Sequence, residues 1–142
     1  MALAALLLAA GNALMDGIHA GVVARGFDDV RPAHGFAFAR LAPDGATVSE
    51  LAVHLGVTRQ AAAQIVDELV AKGYVLRRPH PDDGRAQLVV LTERGWACTR
   101  AATAAAGDTV RSWSDTLGDK RLRALGDGLA AIAPAGRLRP TW

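Results

Sequence analysis

The sequence is poor in cysteine and in aromatic residues. Cys98 is the one cysteine among 142 residues, so neither an internal disulfide framework nor a cysteine-based metal site can form within one chain. A reduced, cytoplasmic protein is the simplest expectation for such a composition. Aromatic residues make up 5% of the chain, whereas alanine, leucine and valine are abundant, and this mixture favours a mainly helical fold of about one domain.

The first residues lack the features of a leader or a membrane span. No lysine or arginine precedes the apolar run that begins at Ala2, which argues against a secretory signal peptide. A membrane span needs about twenty apolar residues, and Asn12, Asp16 and His19 interrupt this run. Residues 1–24 are therefore predicted to form an apolar helix that packs on a partner, and no membrane association is expected.

Sequence patterns of catalysis and of metal binding are missing as well. No nucleophile lies at a recognisable spacing from a base, and no glycine-rich phosphate loop is present. The four histidines, which would be natural zinc ligands, include no pair at the i, i+4 spacing of a helical metal site. We therefore expect neither an enzyme nor a protein that depends on a metal or a cofactor.

Residues 47–73 carry the pattern of two short helices joined by a tight turn. Thr47 and Glu50 have the spacing of a capping box at the start of the first helix. Gly56 interrupts the apolar periodicity, Thr58 is a suitable N-cap for the second helix, and a Lys-Gly pair ends it. Two helices joined by about three turn residues are the helix-turn-helix arrangement, in which the second helix contacts DNA.

The outward face of this second helix has short and amide side chains instead of Glu/Lys pairs. Glutamine pairs with adenine and arginine with guanine in the major groove, and alanine lets the backbone approach closely. On their own these residues would be typical of a solvated helix face, so their assignment depends on the segment after the helix. The residues concerned are Arg59, Gln60, Ala61, Ala63 and Gln64.

A β-hairpin is predicted directly after the second helix. Residues 74–78 and 87–91 are strand-like, and the residues between them are rich in proline, aspartate and glycine, which favour turns. Arg77, Arg78 and Arg85 lie on or beside this hairpin. A narrow tip that carries arginine suits contact with the minor groove or with phosphates.

Together these segments resemble the winged helix-turn-helix of the MarR family of regulators. The resemblance is carried by TVSELAVHLGVTRQAAAQIVDELVAKGYVLR, by the wing P-x-D-G-R-A, and by the strand-to-helix junction VLTERG. The family's wing often reads Asp-Pro-x-Asp-x-Arg, and His80 stands here in place of the first Asp. Asp83 and Arg85 are kept, and the resemblance implies that Asp83 braces Arg85.

The resemblance implies a mainly α fold with a small β-hairpin wing, in which N- and C-terminal helices form a homodimer. It also implies one MarR-like domain over residues 1–142. Residues 1–31 and 95–142 would be the helical dimerisation region, and residues 32–94 would be the winged helix-turn-helix lobe that binds DNA.

Helical patterns outside the helix-turn-helix agree with this arrangement. They predict helices at residues 32–41, from about 93 to 117, and from 119 to 133. Pro134 and Gly136 are predicted to end the last helix.

The implied function is a homodimeric, sequence-specific DNA-binding transcriptional regulator, most simply a ligand-responsive repressor. Its operator in double-stranded DNA would be near-palindromic. Phosphates, bases and the minor groove would be contacted by different residues. Phosphate contacts are expected from Thr58, Arg59 and Arg77, base contacts from Gln60, Ala61, Ala63 and Gln64, and a minor-groove contact from Arg85 braced by Asp83.

A small aromatic or anionic effector is also implied by the resemblance. Effectors of the family often bind near the junction of the dimer helices and the DNA-binding lobe. The residues expected around such a pocket are Ile18, His34, Phe38 and Trp96.

The charge of residues 47–94 leaves a second class of function open. A neutral winged helix can use the same face to bind another protein without specific DNA binding. Salt discriminates the two, because phosphate contacts release counterions and weaken steeply as salt rises. Six basic residues (Arg59, Lys72, Arg77, Arg78, Arg85, Arg94) stand against six acidic ones (Glu50, Asp67, Glu68, Asp82, Asp83, Glu93).

Cys98 and His34 each have two interpretations. Arg94 and Arg100 near Cys98 would favour the thiolate of a redox sensor, but a lone cysteine in an apolar helix is more often a small buried residue. His34 falls near the expected effector junction, and a histidine that simply packs at the dimer edge is equally consistent with the sequence.

Overall fold

Six helices and one two-stranded β-hairpin make up residues 2–133, the part of the chain that the computed structural model describes. The predicted mainly helical fold with a small β-hairpin is confirmed. The predicted helix stop at Pro134 and Gly136 lies outside the described residues. In chain order the elements are α1 (Leu3–Ala24), α2 (Pro32–Leu41), α3 (Val48–Leu55), α4 (Arg59–Ala71), β1 (Val75–Pro79), β2 (Gln87–Leu91), α5 (Glu93–Leu117) and α6 (Asp119–Ile132).

Capping residues determine where α3 and α4 begin and end. Thr47 Oγ1 accepts a hydrogen bond from Glu50 N at 3.2 Å, and Glu50 Oε2 accepts one from Thr47 N at 2.8 Å, which completes the capping box. Gly56 has a φ of 69°, a left-handed conformation that ends α3 at little cost because glycine has no Cβ. Thr58 Oγ1 accepts from Ala61 N at 3.1 Å and starts α4. The predicted helix-turn-helix is therefore confirmed.

The first strand of the hairpin differs from the prediction by one residue at each end, since it runs from Val75 to Pro79 instead of from residue 74 to 78. β1 pairs antiparallel with β2, with Val75 opposite Leu91 and Pro79 opposite Gln87. Tyr74 was expected in this strand, but its N–H donates to Leu69 O at 2.9 Å and so belongs to the C-terminal end of α4.

A third backbone segment holds the base of the hairpin. Ala46, in the connection before α3, forms an isolated antiparallel bridge with Val89. Ala46 N donates to Val89 O at 3.0 Å, and Val89 N donates to Ala46 O at 2.8 Å. Through β2 the wing is thus hydrogen-bonded to the segment that leads into the helix-turn-helix.

Tyr74 lies at the centre of the buried core between α2, α4 and the hairpin. Its ring is 0% exposed, and it contacts Phe38 at a centroid distance of 5.5 Å and Phe27 at 6.3 Å. Leu41, Leu51, Leu69 and Val89 are other fully buried members of this core.

The C-terminal half of α1 packs closely on α5 through two glycines. A Cβ at Gly21 would lie 2.5 Å from Ala105 Cβ, and one at Gly17 would lie 2.5 Å from Thr109 Oγ1. Only glycine permits this approach of the two helices. By length and composition alone, α1 is also a helix that could cross a membrane. Only 6% of its apolar window is buried, and buried core helices of soluble proteins and signal sequences meet the same criterion.

Candidate nucleic-acid interface

The outward face of α4 is polar and solvent-exposed in its first half. Ala62, Val66 and Leu69 are each 0% exposed and hold the helix on the core. Gln60 and Gln64 are exposed on the opposite side, as the period of about 100° per residue requires. Thr58 and Arg59 are exposed at the helix start, and Ala61 and Ala63 are half-buried at the flanks of the glutamines.

Arg77 joins β1 to α4 through an ion pair. Its Nη2 lies 2.5 Å from Asp67 Oδ1, and its side chain is 27% exposed. The pair neutralises the carboxylate that comes after Gln60 and Gln64 on the outer face of α4. A phosphate contact from Arg77 stays a prediction, and one of its guanidinium nitrogens is already committed to Asp67.

The wing tip is ordered by side-chain-to-backbone hydrogen bonds. Asp83 Oδ1 accepts from the backbone N of Arg85 at 3.0 Å. The brace implied by the resemblance is therefore present at the backbone of Arg85 and not at its guanidinium, which extends from an exposed residue. His80, the departure from the family's wing, uses Nδ1 to accept from Asp82 N at 3.1 Å and so caps the same turn.

Ion pairs engage some of the charged side chains of residues 47–94 and leave others without a partner of opposite charge. Glu50, Asp67, Glu68 and Glu93 each have an arginine or lysine nitrogen within 3.6 Å. Within residues 2–133, no carboxylate forms an ion pair with Arg59, Arg78 or Arg85. In the same described range, no lysine or arginine forms an ion pair with Asp82 or Asp83 at the wing tip. The unpaired arginines therefore lie at the start of α4 and on the hairpin, the elements predicted to face DNA.

A polar cluster holds the inner side of α4 to the loop between α1 and α2. Glu68 Oε2 accepts from Arg31 Nη2 at 2.7 Å, and Glu68 Oε1 accepts from Lys72 Nζ at 2.9 Å. The hydrogen bonds from Lys72 and then from Arg31 lower the pKa of Glu68 to about 2. Lys72 Nζ also donates to Asp29 O at 2.5 Å, which fastens the end of α4 to the loop.

His34 lies at the buried end of this cluster. It is 0% exposed, and burial lowers its pKa, so the ring is neutral near pH 7. Its Nδ1 accepts from Arg31 N at 3.0 Å, which leaves Nε2–H to donate to Glu68 Oε2 at 3.3 Å. His34 is therefore a structural residue between α2 and α4.

Asp29 forms a second set of contacts with the end of α4 and the start of α5. Tyr74 Oη donates to Asp29 Oδ1 at 2.5 Å, and Arg94 Nη2 donates to Asp29 Oδ2 and to Tyr74 Oη, both at 3.1 Å. Burial, followed by the hydrogen bond to Asp29, raises the pKa of Tyr74 to about 12. Sequence analysis missed Asp29 because its partners are 45 and 65 residues away.

An apolar cavity of about 270 Å³ lies between α1, α2 and α5. Ile18 and Phe38 line it, as predicted, whereas His34 and Trp96 do not. His34 is turned to Arg31 and Glu68, and Trp96 is 39% exposed on the surface of α5. These two assignments to the pocket are therefore corrected. Other residues of the wall include Met15, Val22, Arg31, Phe36, Cys98 and Ala102.

Cys98 is a buried residue of this cavity wall. It is 2% exposed, and burial raises the pKa of its thiol to about 11. The thiol is therefore protonated near pH 7, which is the state of a structural cysteine and not of a redox sensor. The periodicity of α5 carried the signal for its burial, since Ala101 and Ala105 are buried on the same helix.

Comparison with known proteins shows similarity to one family of regulators. The MarR family model matches residues 34–86, which contain the helix-turn-helix and most of the wing. The solved apo structure of Escherichia coli MarR has the same fold, with a TM-score of 0.79 at 24% identity over 94% of this chain and 98% of that chain. The chain is thus similar to the MarR family in sequence over residues 34–86 and to MarR in fold over most of its length.

Two further proteins are similar to this chain. The transcriptional repressor CouR, solved bound to a 23-mer DNA duplex, has a TM-score of 0.72 at 25% identity over 94% of this chain and 93% of CouR. The Mycobacterium tuberculosis protein Rv2011c is 34% identical over 89 residues, which are 63% of this chain and 62% of that protein. The match thus spans about three fifths of the length of this relative.

Proposed function

We propose that the chain is a homodimeric, sequence-specific DNA-binding transcriptional regulator, a repressor whose DNA affinity responds to a small ligand. One observation carries the proposal. On the exposed first half of α4 and on the wing, Arg59, Arg78 and Arg85 have no carboxylate partner among the described residues. The DNA-bound structure of CouR supports the same use of this fold.

The proposed docking places α4, as the recognition helix, in the major groove. Thr58, Arg59 and Arg77 contact phosphates, and Arg85, on a turn capped by Asp83, enters the minor groove. Two copies bind half-sites about 34 Å apart, so the operator is near-palindromic. Base contacts come from Gln60, Ala61, Ala63 and Gln64.

The proposed dimer buries apolar surface that the single chain leaves exposed. α6 has no buried residue within its bounds, and its apolar stripe is open to solvent. The N-terminal half of α1 is similarly exposed. Burial of both helices in a second copy would remove this surface from water. The exposed side chains are Leu3, Leu6, Leu7, Leu8, Leu125, Leu129 and Ile132.

This proposal divides the chain by role. Residues 1–31 and 95–142 form the dimerisation region, and residues 32–94 form the DNA-binding lobe. A cytoplasmic location follows from the proposed contact with DNA.

The proposed effector occupies the cavity between α1, α2 and α5. The wall is mostly apolar, with Phe36 and Phe38 on one side, and so favours a ring-containing apolar ligand. Arg31 is the arginine of the wall, and its guanidinium is bonded to Glu68, so a ligand anion would compete with that carboxylate. The ligand shifts DNA affinity to the extent that it prefers the DNA-free conformation.

The proposed function is tested by fluorescence anisotropy of labelled duplexes selected from a random library with the full-length protein. Specific binding that weakens steeply between about 50 and 200 mM salt is expected, because bound phosphates release counterions. Arg85→Ala should weaken binding to every duplex and reduce the salt slope by about one. Arg100→Ala, an exposed change on α5, is the matched control.

Two results would overturn the proposal. A folded protein that selects no sequence and shows no salt-dependent DNA binding would favour the use of the same face for a protein partner. A loss on Arg100→Ala equal to that on Arg85→Ala would show that the wing has no special role.

A further inference from the structure

We propose that Gln60 and Gln64 each recognise the adenine of an A·T base pair, so that every half-site of the operator carries A·T pairs at these two positions. The inference rests on the DNA-binding function proposed above and specifies which bases α4 selects. It comes from the arrangement of side chains on one helical ridge.

Gln60 and Gln64 form the outermost ridge in the first half of α4. At about 100° per residue, both lie within about 30° of the direction opposite the buried Ala62, Val66 and Leu69. A rise of about 1.5 Å per residue separates them by about 6 Å along the axis, the height of about two base pairs. Two amides one turn apart are thus directed at neighbouring or next-but-one base pairs.

The amide group matches the major-groove edge of adenine. A glutamine presents one carbonyl acceptor beside one NH₂ donor, and adenine presents its N6 donor beside its N7 acceptor. Guanine presents two acceptors, N7 and O6, which pair with the two donors of an arginine. Arg59 is the cation within α4, and it lies about 100° around the helix from Gln60, towards the flank.

The other side chains of this surface do not favour G·C pairs either. Asp67 lies further along the same side and would accept from the amino group of cytosine, but its Oδ1 is bonded to Arg77. Ala61 and Ala63 flank the glutamines, and an alanine methyl makes apolar contact with the methyl group of thymine. Glutamines contact adenine and alanines contact thymine, so both kinds of residue favour an A·T pair.

Selection from a random duplex library tests the inference, with the full-length chain as the selecting protein. Adenine is expected at two positions in each half-site. Replacement of either adenine by 7-deazaadenine, which removes the N7 acceptor and keeps the base pair, should weaken binding about five-fold or more. In Gln64→Ala this loss should disappear at one of the two positions and remain at the other, and Gln60→Ala should show the reverse.

Arg85→Ala separates this inference from the proposed function. It should weaken binding to all duplexes and leave the preference for adenine at these two positions unchanged, because a minor-groove contact from the wing does not read the major-groove edge that α4 contacts. Specific binding to half-sites without adenine at two positions, or losses with 7-deazaadenine that the glutamine variants leave unchanged, would overturn the inference alone. No specific binding to any duplex would overturn the proposed function as well.

Discussion

Arg31 is a residue of the cavity wall and also a hydrogen-bond partner of α4, because its Nη2 donates to Glu68 Oε2 at 2.7 Å. The same loop holds the end of α4 through Asp29 O, which accepts from Lys72 Nζ at 2.5 Å. A ligand that displaced Arg31 would therefore remove a hydrogen bond from the helix that is proposed to enter the major groove.

Acid stability should depend on Glu68. Its pKa of about 2 lies below the ordinary value of 4.5, so its contribution to the free energy of unfolding is complete above pH 4.5 and is lost as the pH falls towards 2. Glu68→Gln should lower stability near pH 7 by roughly 1–2 kcal/mol, a modest cost because the group is partly exposed. It should also flatten the fall in stability between pH 4.5 and 2.

Urea titrations at several pH values measure this dependence. Glu93→Gln is the matched control, because the side chain of Glu93 is 85% exposed and pairs with Arg100 on the surface. An acid profile of Glu68→Gln that coincides with the wild-type profile would contradict the prediction.

The thiol of Cys98 should react with iodoacetamide only when the chain unfolds. The side chain is 2% exposed, and its pKa of about 11 keeps it protonated at pH 7. The rate of alkylation should rise with urea in parallel with the loss of helical signal, with glutathione as the reference thiol. Fast alkylation of the native protein would instead indicate an accessible, activated cysteine.

Substitution of Gly21 should separate α1 from α5. The added Cβ of Gly21→Ala would lie 2.5 Å from Ala105 Cβ, and overpacking of this kind costs about 1–3 kcal/mol. Gly107→Ala is the control within α5, since a Cβ there would meet only the end of the Arg111 side chain at 3.5 Å. The control should stabilise the helix by about 0.5–1 kcal/mol. Equal effects of both changes on thermal unfolding would count against the close packing.

A charge on α6 should dissociate the proposed dimer. Leu129 is 39% exposed in the single chain, and Leu129→Glu would bury a carboxylate against apolar surface of the second copy. We expect the dissociation constant, measured by analytical ultracentrifugation, to rise by about 30-fold, equivalent to about 2 kcal/mol. Val53→Glu places the same charge on α3, where Val53 is 71% exposed, and should leave the dimer intact. A Leu129→Glu variant that remains as dimeric as the wild type would rule out the proposed interface.

The helices of the helix-turn-helix could be predicted from local sequence, because the residues at which they begin and end depend on their immediate neighbours. Thr47 and Thr58 cap the helices that begin after them, and Gly56 ends α3, through bonds and conformations within a few residues. Tyr74 was assigned to a strand because its side chain favours β structure, whereas its backbone completes the end of α4.

The hydrogen bonds of Asp29 and Arg31 could not be predicted from local sequence. Asp29 bonds to Tyr74 and Arg94, and Arg31 bonds to Glu68, across separations of 37 to 65 residues. The cavity is likewise a space between three helices, so no single stretch of sequence contains it. For the same reason the sequence assigned His34 to the pocket, although its ring bonds to Glu68 on the other side of α2.

The bridge between Ala46 and Val89 has a consequence for how a dimer would respond to a ligand. It ties β2, and through it the paired β1, to the segment before α3, so we expect the wing and the helix-turn-helix to move as one rigid body. A ligand in the cavity would then leave the shape of each half-site surface intact and alter the distance and angle between the two copies of α4. The ligand would then release the dimer from its operator because the separation of the two recognition helices would no longer match the separation of the two half-sites along the double helix.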